Sequence, residues 1–293
     1  MTQAINHYNT YNLQMGTLQQ LQQTQLYILK KFIEVCTKLD VSWFVVYGTA
    51  LGTVRHDGFI PWDDDIDVGM LRPDYERFMQ EAQKHLPEEL SIQAIRTDPD
   101  YNLLHAKIRH SGTTYLEAGW ETSKGNQGVF IDIFPLDYIP EAPLAKWIFL
   151  KRIRFYQVLI SIFTEKEAGK PLSKKGGIKG LVRQIASVVA PWFYSGAKSV
   201  ALKLVAMLCK TKVTGCVKDC EVRSIEYRTD WFKETKKHQF EDVEVNLPCE
   251  YDAYLTTAYG DYMTPPPEDQ RVPLHIQGIV DCEKPYTHYT NRT

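Results

Sequence analysis

The chain has no run approaching the ~18 uninterrupted apolar residues of a membrane span. The best stretch, Ile185 to Ala197, is short and carries Pro191. Met1 to Thr10 is polar and forms no apolar signal segment, which predicts a cytoplasmic protein with reduced thiols. Excess charge is also missing: 34 Lys and Arg against 36 Asp and Glu leave −2. That removes any global electrostatic case for nucleic acid, so an anionic partner must be held by a local patch. There is no CxxC pair and no internal repeat. Cys209, Cys216 and Cys220 lie close together, with Cys36, Cys249 and Cys282 elsewhere. Their spacing offers no obvious fourth ligand for structural zinc. What is present, 44% hydrophobic and 24% charged residues over 293, suits one large globular domain or two small ones.

Periodicity predicts a helix over Leu18 to Leu39 and a buried strand over Ser42 to Tyr47. A turn at Gly48-Thr49 follows, and Thr49 to Val54 can open a short helix. Ile66 to Met70 reads as a second strand, then a helix from Pro73 to His85, then a strand over Leu90 to Ile95. Leu103 to Arg109 and Thr113 to Leu116 look like a hairpin around His110-Ser111-Gly112. Gly128 to Phe134 is a strand that Pro135 should end. Leu144 to Phe163 reads as a basic, aromatic helix, residues 165–180 as a flexible Lys- and Gly-rich loop, and Leu181 to Cys209 as a helix broken near Pro191. Phe240 to Leu247 reads as a strand, and Tyr251 to Tyr259 as a helix capped by Gly260. The expected fold class is α/β (α+β): a small mixed sheet flanked by helices, with a largely helical C-terminal half. The expected divisions are a flexible N-terminus (1–16), a catalytic core (17–140), a helical insertion (141–239) and a segment returning to the active site (240–293).

The chemistry concentrates at Asp63-Asp64-Asp65-Ile66-Asp67. On a strand, Asp65 and Asp67 share one face while Ile66 and Val68 take the other. Adjacent carboxylates repel unless a cation sits between them. Oxygen-only ligands suit Mg2+ or Mn2+, commonly with substrate phosphate completing the shell. A lone acidic turn would be simply solvated; the apolar continuation through Val68 and Met70 puts this one at the edge of a core. Asp132, inside Val-Phe-Ile-Asp-Ile-Phe, is costly to bury unless paired or metal-bound. It is the candidate third ligand and proton acceptor, with Asp137 the runner-up. Gly48 and Thr49 can approach a phosphate closely. Arg55 and His56 in the loop, and Lys107 and Arg109 on one strand face, are candidate phosphate-binding cations. Arg271 and His275 are candidates on the acceptor side, and His105 and His110 read as structural.

These residues resemble the LicD family of the polymerase-beta-like nucleotidyltransferase superfamily. The resemblance rests on Tyr47 to Gly52, Arg55-His56, Gly58 to Asp67, Phe130 to Asp137, Tyr251 to Leu255, Tyr259 to Met263 and Pro266-Pro267. It implies a nucleotidyltransferase-like sheet with Mg2+ on Asp65, Asp67 and Asp132. It also implies transfer of phosphocholine from CDP-choline to a sugar of teichoic acid, lipopolysaccharide or capsule, with release of CMP. The fukutin group uses CDP-ribitol similarly. Thr49 stands where Ser is common in the superfamily, and the gap from Gly48 to the carboxylates is the longer LicD one. The cysteine-ligated zinc of the fukutin-related branch has no clear counterpart.

Three other readings compete: a nucleotidyltransferase that modifies a small molecule from an NTP, a glycosyltransferase using the DxD pair, and a non-catalytic glycan- or membrane-surface module. The upstream Gly-Thr turn argues against the second, and the intact carboxylates against the third. The basic, aromatic helix from Leu144 suggests a peripheral contact at the inner face of the plasma membrane, set against ordinary core packing.

Overall fold

A computed structural model describes residues 15–98, 100–101, 103–116, 125–167, 184–185, 188–189, 192, 196–220, 225–273 and 278–290. The loop and broken helix expected between 168 and 195 fall almost entirely outside that set. In chain order the main elements are α1 (Met15–Leu39), β1 (Phe44–Val45), α2 (Tyr47–His56), β2 (Asp67–Leu71), α3 (Arg72–Glu81), β3 (Leu90–Gln93), β4 (Ala106–His110), β5 (Thr114–Tyr115) and β6 (Val129–Tyr138). Then come α4 (Pro143–Glu167), α5 (Ala197–Leu208), β7 (Cys216–Lys218), β8 (Glu226–Arg228), β9 (Thr235–Phe240), β10 (Val243–Pro248), α6 (Tyr251–Tyr259) and β11 (Val280–Asp281). The fold is mixed α/β. Two compact units divide it: one takes the chain up to Gln93, Ala106–Phe134 and from Asp230 on, the other Ala94–His105 and Pro135–Thr229.

In the first unit the strands lie in the order β1-β2-β6-β4-β3. Ile66, Val68, Met70, Ile108, Ile131 and Ile133 are fully buried in this sheet. The helix α1 presents Leu21, Ile28, Leu29 and Phe32 to the core, all without exposure. Phe32 packs on Trp43 and on Phe78 of α3, each with ring centres 5.3 Å apart. Asp40, left-handed at φ 52°, ends α1; Asp is among the few side chains that take this region readily. Gly260, at φ 72°, closes α6 in the same way, its N–H donating to the Thr256 carbonyl.

The structure corrects several sequence expectations. The hairpin around Ser111 does not form, because both edges of β4 are taken, by β3 and by β6. The strand β5 pairs with β11 instead. Pro135 does not end β6: the strand pairs with β4 through Ile133 and with β7 from Asp137. The proline thus sits between the β4 and β7 pairings, where its missing N–H removes no bond of either. The strand expected from Phe240 is the second arm of an antiparallel β9–β10 hairpin turned at Glu241 (φ 53°). The first arm, Thr-Lys-Lys-His-Gln-Phe, is mostly exposed and lacks an apolar pattern.

The second unit is a helical pair with a small antiparallel addition. Ile153 of α4 packs with Ala201, Leu204, Val205 and Leu208 of α5, and with Ile95 and Leu104. The helical insertion expected over 141–239 also carries the short strands β7 and β8, which pair from Cys216↔Arg228 to Lys218↔Glu226.

Candidate active site

The acidic turn is built from its backbone outward. Gln22 and Gln25 lie three apart on α1, and their Nε2 atoms donate to the carbonyls of Asp63 and Asp64, each at 2.9 Å. The main chain of Asp67 is held from the β1–α2 corner on both sides. The Val46 N–H donates to its carbonyl at 3.1 Å, and its own N–H donates to Thr49 Oγ1 at 2.8 Å. Asp132 enters from β6, its N–H donating to the Ile66 carbonyl at 2.8 Å. Asp65, Asp67 and Asp132 are each at most 8% exposed. Each offers a carboxylate oxygen within 4.8 Å of the others, and Asp63, Asp64 and Asp65 form a second such group. Among the described residues these are the two groups of three or more potential metal ligands; Cys209, Cys216 and Cys220 belong to neither.

The electrostatics of the first group favour a cation. Burial, then the charges of Asp65, Asp132 and Asp63, push the Asp67 carboxyl well above the usual carboxylate range, with Lys107 pulling the other way. Lys107 stands opposite Asp132 in register, its Nζ 3.1 Å from Asp132 Oδ1 and 3.3 Å from the centre of the Phe130 ring. With all three ionised, three carboxylates beside one ammonium would carry two negative charges, the complement of one divalent ion. The donor set is all carboxylate oxygen, which fits Mg2+ or Mn2+.

Gly48 lies in the first turn of α2, where a Cβ would meet Asp63 Oδ2 at 2.7 Å. The missing side chain therefore lets the acidic turn close against the start of this helix, whose N-terminal end carries partial positive charge. Tyr47, with φ 49°, makes the corner into it. Its N–H donates to the Tyr254 hydroxyl at 3.0 Å, and its ring meets Phe134 edge-on at 5.2 Å.

A second group of expected residues gathers around Trp62. The Arg271 guanidinium lies 5.5 Å from the Trp62 ring centre, and the His56 ring 6.5 Å from it. Arg55 donates to His56 Nε2 at 3.0 Å and to the Tyr262 carbonyl at 3.1 Å. Burial lowers the Arg55 pKa and the nearby Arg271 lowers it further, while Asp63 opposes. Burial and Arg55 lower that of His56. Arg55 and Arg271 thus form a cationic pair beside the acidic turn, with His56 as a neutral imidazole between Arg55 and Trp62. His275 lies outside the described residues.

Two expected roles change. Arg109 is fully buried: Nε donates to Gln93 Oε1 at 2.5 Å, Nη1 donates to the Gly128 carbonyl at 2.9 Å, and the guanidinium stacks 4.7 Å from Phe130. That environment ties β3, β4 and the start of β6 together and gives no path to a phosphate. Thr49, expected to touch phosphate, is 2% exposed and spends its oxygen on the Asp67 N–H. Asp137, the alternative to Asp132, stands in register with Lys218 in the second unit. Gln25 and Tyr254 escaped sequence reasoning. Gln25 carried a signal: it falls between Leu21 and Ile28 on the apolar stripe of α1 and is fully buried, so it required a polar partner.

Comparison with known proteins agrees with this geometry. The family model described as LicD/FKTN/FKRP, nucleotidyltransferase domain, matches residues 40–154, which span all three carboxylates. The lipopolysaccharide cholinephosphotransferase LicD of Haemophilus influenzae is 28% identical over 277 residues, 89% of this chain and 97% of that protein. Uncharacterised proteins of Rickettsia typhi and Rickettsia prowazekii match only short stretches, at 42% over 53 residues and 43% over 47. Each covers less than a fifth of both chains. The family domain thus spans the carboxylate site, and one relative aligns along nearly its whole length: residues 40–154 carry the LicD-type domain, and the chain as a whole is similar to LicD.

Proposed function

We propose that the chain is a metal-dependent transferase that moves a phospho-alcohol, phosphocholine foremost, from a CDP-alcohol to a sugar hydroxyl of a cell-surface glycan. The observation that carries this reading is the convergence of Asp65, Asp67 and Asp132, each with a carboxylate oxygen within 4.8 Å of the others. The whole-length relative named for lipopolysaccharide cholinephosphotransfer supports the choice of group and acceptor class. When bound by these three carboxylates, Mg2+ would offset the charge of the donor diphosphate.

The chain's own residues supply the rest. The first-turn N–H groups of α2, at Gly48 and Thr49, suit a phosphate. Arg55 and Arg271 supply cationic donors beside them, with His56 placed against Arg55. Lys107 Nζ lies 3.1 Å from Asp132 Oδ1 and positions this carboxylate, and Asp132 orients the acceptor hydroxyl and takes its proton. As the sugar oxygen bonds to phosphorus, the bond from phosphorus to the CMP oxygen breaks and CMP leaves. Such catalysis is mainly positioning and charge stabilisation.

A panel of CDP-alcohols with Mg2+, scored for CMP release with and without candidate glycans, tests the reading. Glycan-stimulated CMP release from CDP-choline is expected. The matched domain is named for nucleotidyl transfer, so the competing reaction is nucleotide transfer from an NTP. Pyrophosphate release from an NTP, with no CMP from any CDP-alcohol, would replace the proposal with that reaction.

A further inference from the structure

Charge is segregated along this nearly neutral chain. From Ala142 to Lys218 there are 15 Lys and Arg against 2 Asp and Glu, a net of +13. The remaining 19 basic and 34 acidic residues sum to −15. The basic stretch lies within the second unit. Its first helix, α4, is apolar on two sides. One side, with Phe149, Leu150, Ile153, Tyr156 and Ile160, packs in the core cluster with α5. The other side runs through Leu144, Trp147, Ile148 and Phe155, spaced to align on one face of a helix. Leu144 is 71% exposed, Trp147 59%, Ile148 46% and Phe155 52%.

The same face is edged with cations. Lys151 lies along it, with Nζ 5.7 Å from the Trp147 ring centre. At 100° per residue, Arg152 and Arg154 fall on opposite sides of the stripe, and both are exposed. Among the described residues neither makes an ion pair. Lys146, by contrast, is occupied by Glu226 at 2.7 Å. Further along, Ile185 (55%), Val188 (69%), Val189 (46%) and Trp192 (86%) are also exposed. The first three repeat the +3, +1 spacing of Leu144, Trp147 and Ile148. No helix among the described residues is long and apolar enough to cross a membrane.

We infer that the outer face of α4 is a docking surface for an anionic lipid bilayer, with the helix lying in the plane of the interface. An exposed apolar stripe flanked by Arg and Lys is the form that interfacial helices take: the apolar side chains enter the acyl boundary and the long basic ones reach back to the headgroups. Trp147 suits that boundary, with an apolar ring and a polar N–H. The net of +13 selects a negative surface, since each basic residue near such a membrane adds about 1 kcal/mol. A self-associating face would instead set these like charges against one another. The inference holds whichever group the enzyme transfers.

The test is flotation of the full chain with vesicles of phosphatidylcholine alone, or with phosphatidylglycerol added, in the absence of donor and glycan. The protein should float with the anionic vesicles and stay behind with the neutral ones, and it should be released by salt well above physiological strength. Trp147→Ser/Phe155→Ser and Arg152→Glu/Arg154→Glu should each weaken binding about tenfold or more, with unchanged circular dichroism and melting temperature. No flotation with anionic vesicles at low salt would overturn the inference. So would full binding by the Trp147→Ser/Phe155→Ser variant, because simple charge adsorption would then explain it. Sedimentation velocity supplies the other arm: a dimer that this variant dissociates, without vesicle binding, assigns the face to a second copy instead. CMP release on a soluble acceptor reports separately on the transferase reading.

Discussion

Asp67 and Trp147 both break the ordinary rule of burial, in opposite directions. The carboxylate is 7% exposed among other carboxylates, and the indole is 59% exposed in a row of apolar neighbours. Each belongs to a different unit. In the first unit, the buried acidic turn is held by main-chain hydrogen bonds donated by Gln22, Gln25 and Val46 and one accepted by Thr49. In the second, apolar surface is left in water although the same helix buries its other side completely enough to form a core. Folding alone favours neither arrangement. Buried like charges and exposed aromatic rings both cost free energy that a ligand of the right kind returns. The two deviations underlie the two proposals made above, of different ligand chemistry: a divalent cation with phosphate in one unit, an anionic bilayer in the other.

Substitutions at the two places should behave differently, and the largest contrast comes from Asp67→Asn. Transfer should fall by about 10^3-fold, the scale of losing a preorganised electrostatic group, while the fold is retained. Removing one of the mutually repelling carboxylates should leave the metal-free protein as stable as before or more so. Titrating Mg2+ into the unaltered protein should raise its melting temperature, by about 2.7 kcal/mol of stabilisation at a hundredfold excess over Kd. That shift should be absent in the variant. Near-normal turnover by Asp67→Asn would remove the first unit from the comparison.

Gly48→Ala comes next. Its Cβ meets Asp63 Oδ2, so the acidic turn has to move, and a displacement of this kind costs about 10^2-fold in rate. Steady-state kinetics showing an unchanged kcat would mean that the turn can shift without harm. Thr49→Val is expected to act mainly on stability, by about 1–3 kcal/mol, because it leaves the buried Asp67 N–H without its acceptor. Urea denaturation measures this, and a loss well below 1 kcal/mol would show that the Asp67 main chain finds another partner. Arg55→Gln should raise KM for the CDP-alcohol about tenfold through loss of a charge-assisted contact, with little change in kcat. A changed kcat at constant KM would move Arg55 from binding the donor to the chemical step. At the small end, Trp147→Ser should alter stability by no more than about 0.5 kcal/mol, as for other exposed sites. A large loss in a thermal melt would mean that Trp147 is core after all.

Much of the site was legible because its signals are local. Alternation of Asp65 and Asp67 with Ile66 and Val68 follows from the two-residue period of a strand. An Asp inside the apolar run around Asp132 is conspicuous by its cost of burial. Long-range choices were not legible. Lys107 and Arg109 share a strand face and look equivalent in sequence. Only the register of β4 against β6 sets Lys107 opposite Asp132 and Arg109 opposite Phe130. The hairpin expected at Ser111 obeyed local turn rules and failed because β4 already had two partners. Trp147 and Ile153 likewise both read as apolar positions of one helix.

By itself, the sequence determined most of the described helices and strands, the three carboxylates and the likeness to LicD, because periodicity, cost of burial and motif are properties of neighbouring residues. It also determined the segregation of charge between Ala142–Lys218 and the rest. Tertiary structure alone decided which of the basic residues meets a carboxylate, that Gln25 and Tyr254 brace the site, that Thr49 holds main chain, and which apolar face of α4 is left uncovered. Those outcomes depend on pairing between residues far apart in the chain, where strand register and packing, rather than local preference, select the partner.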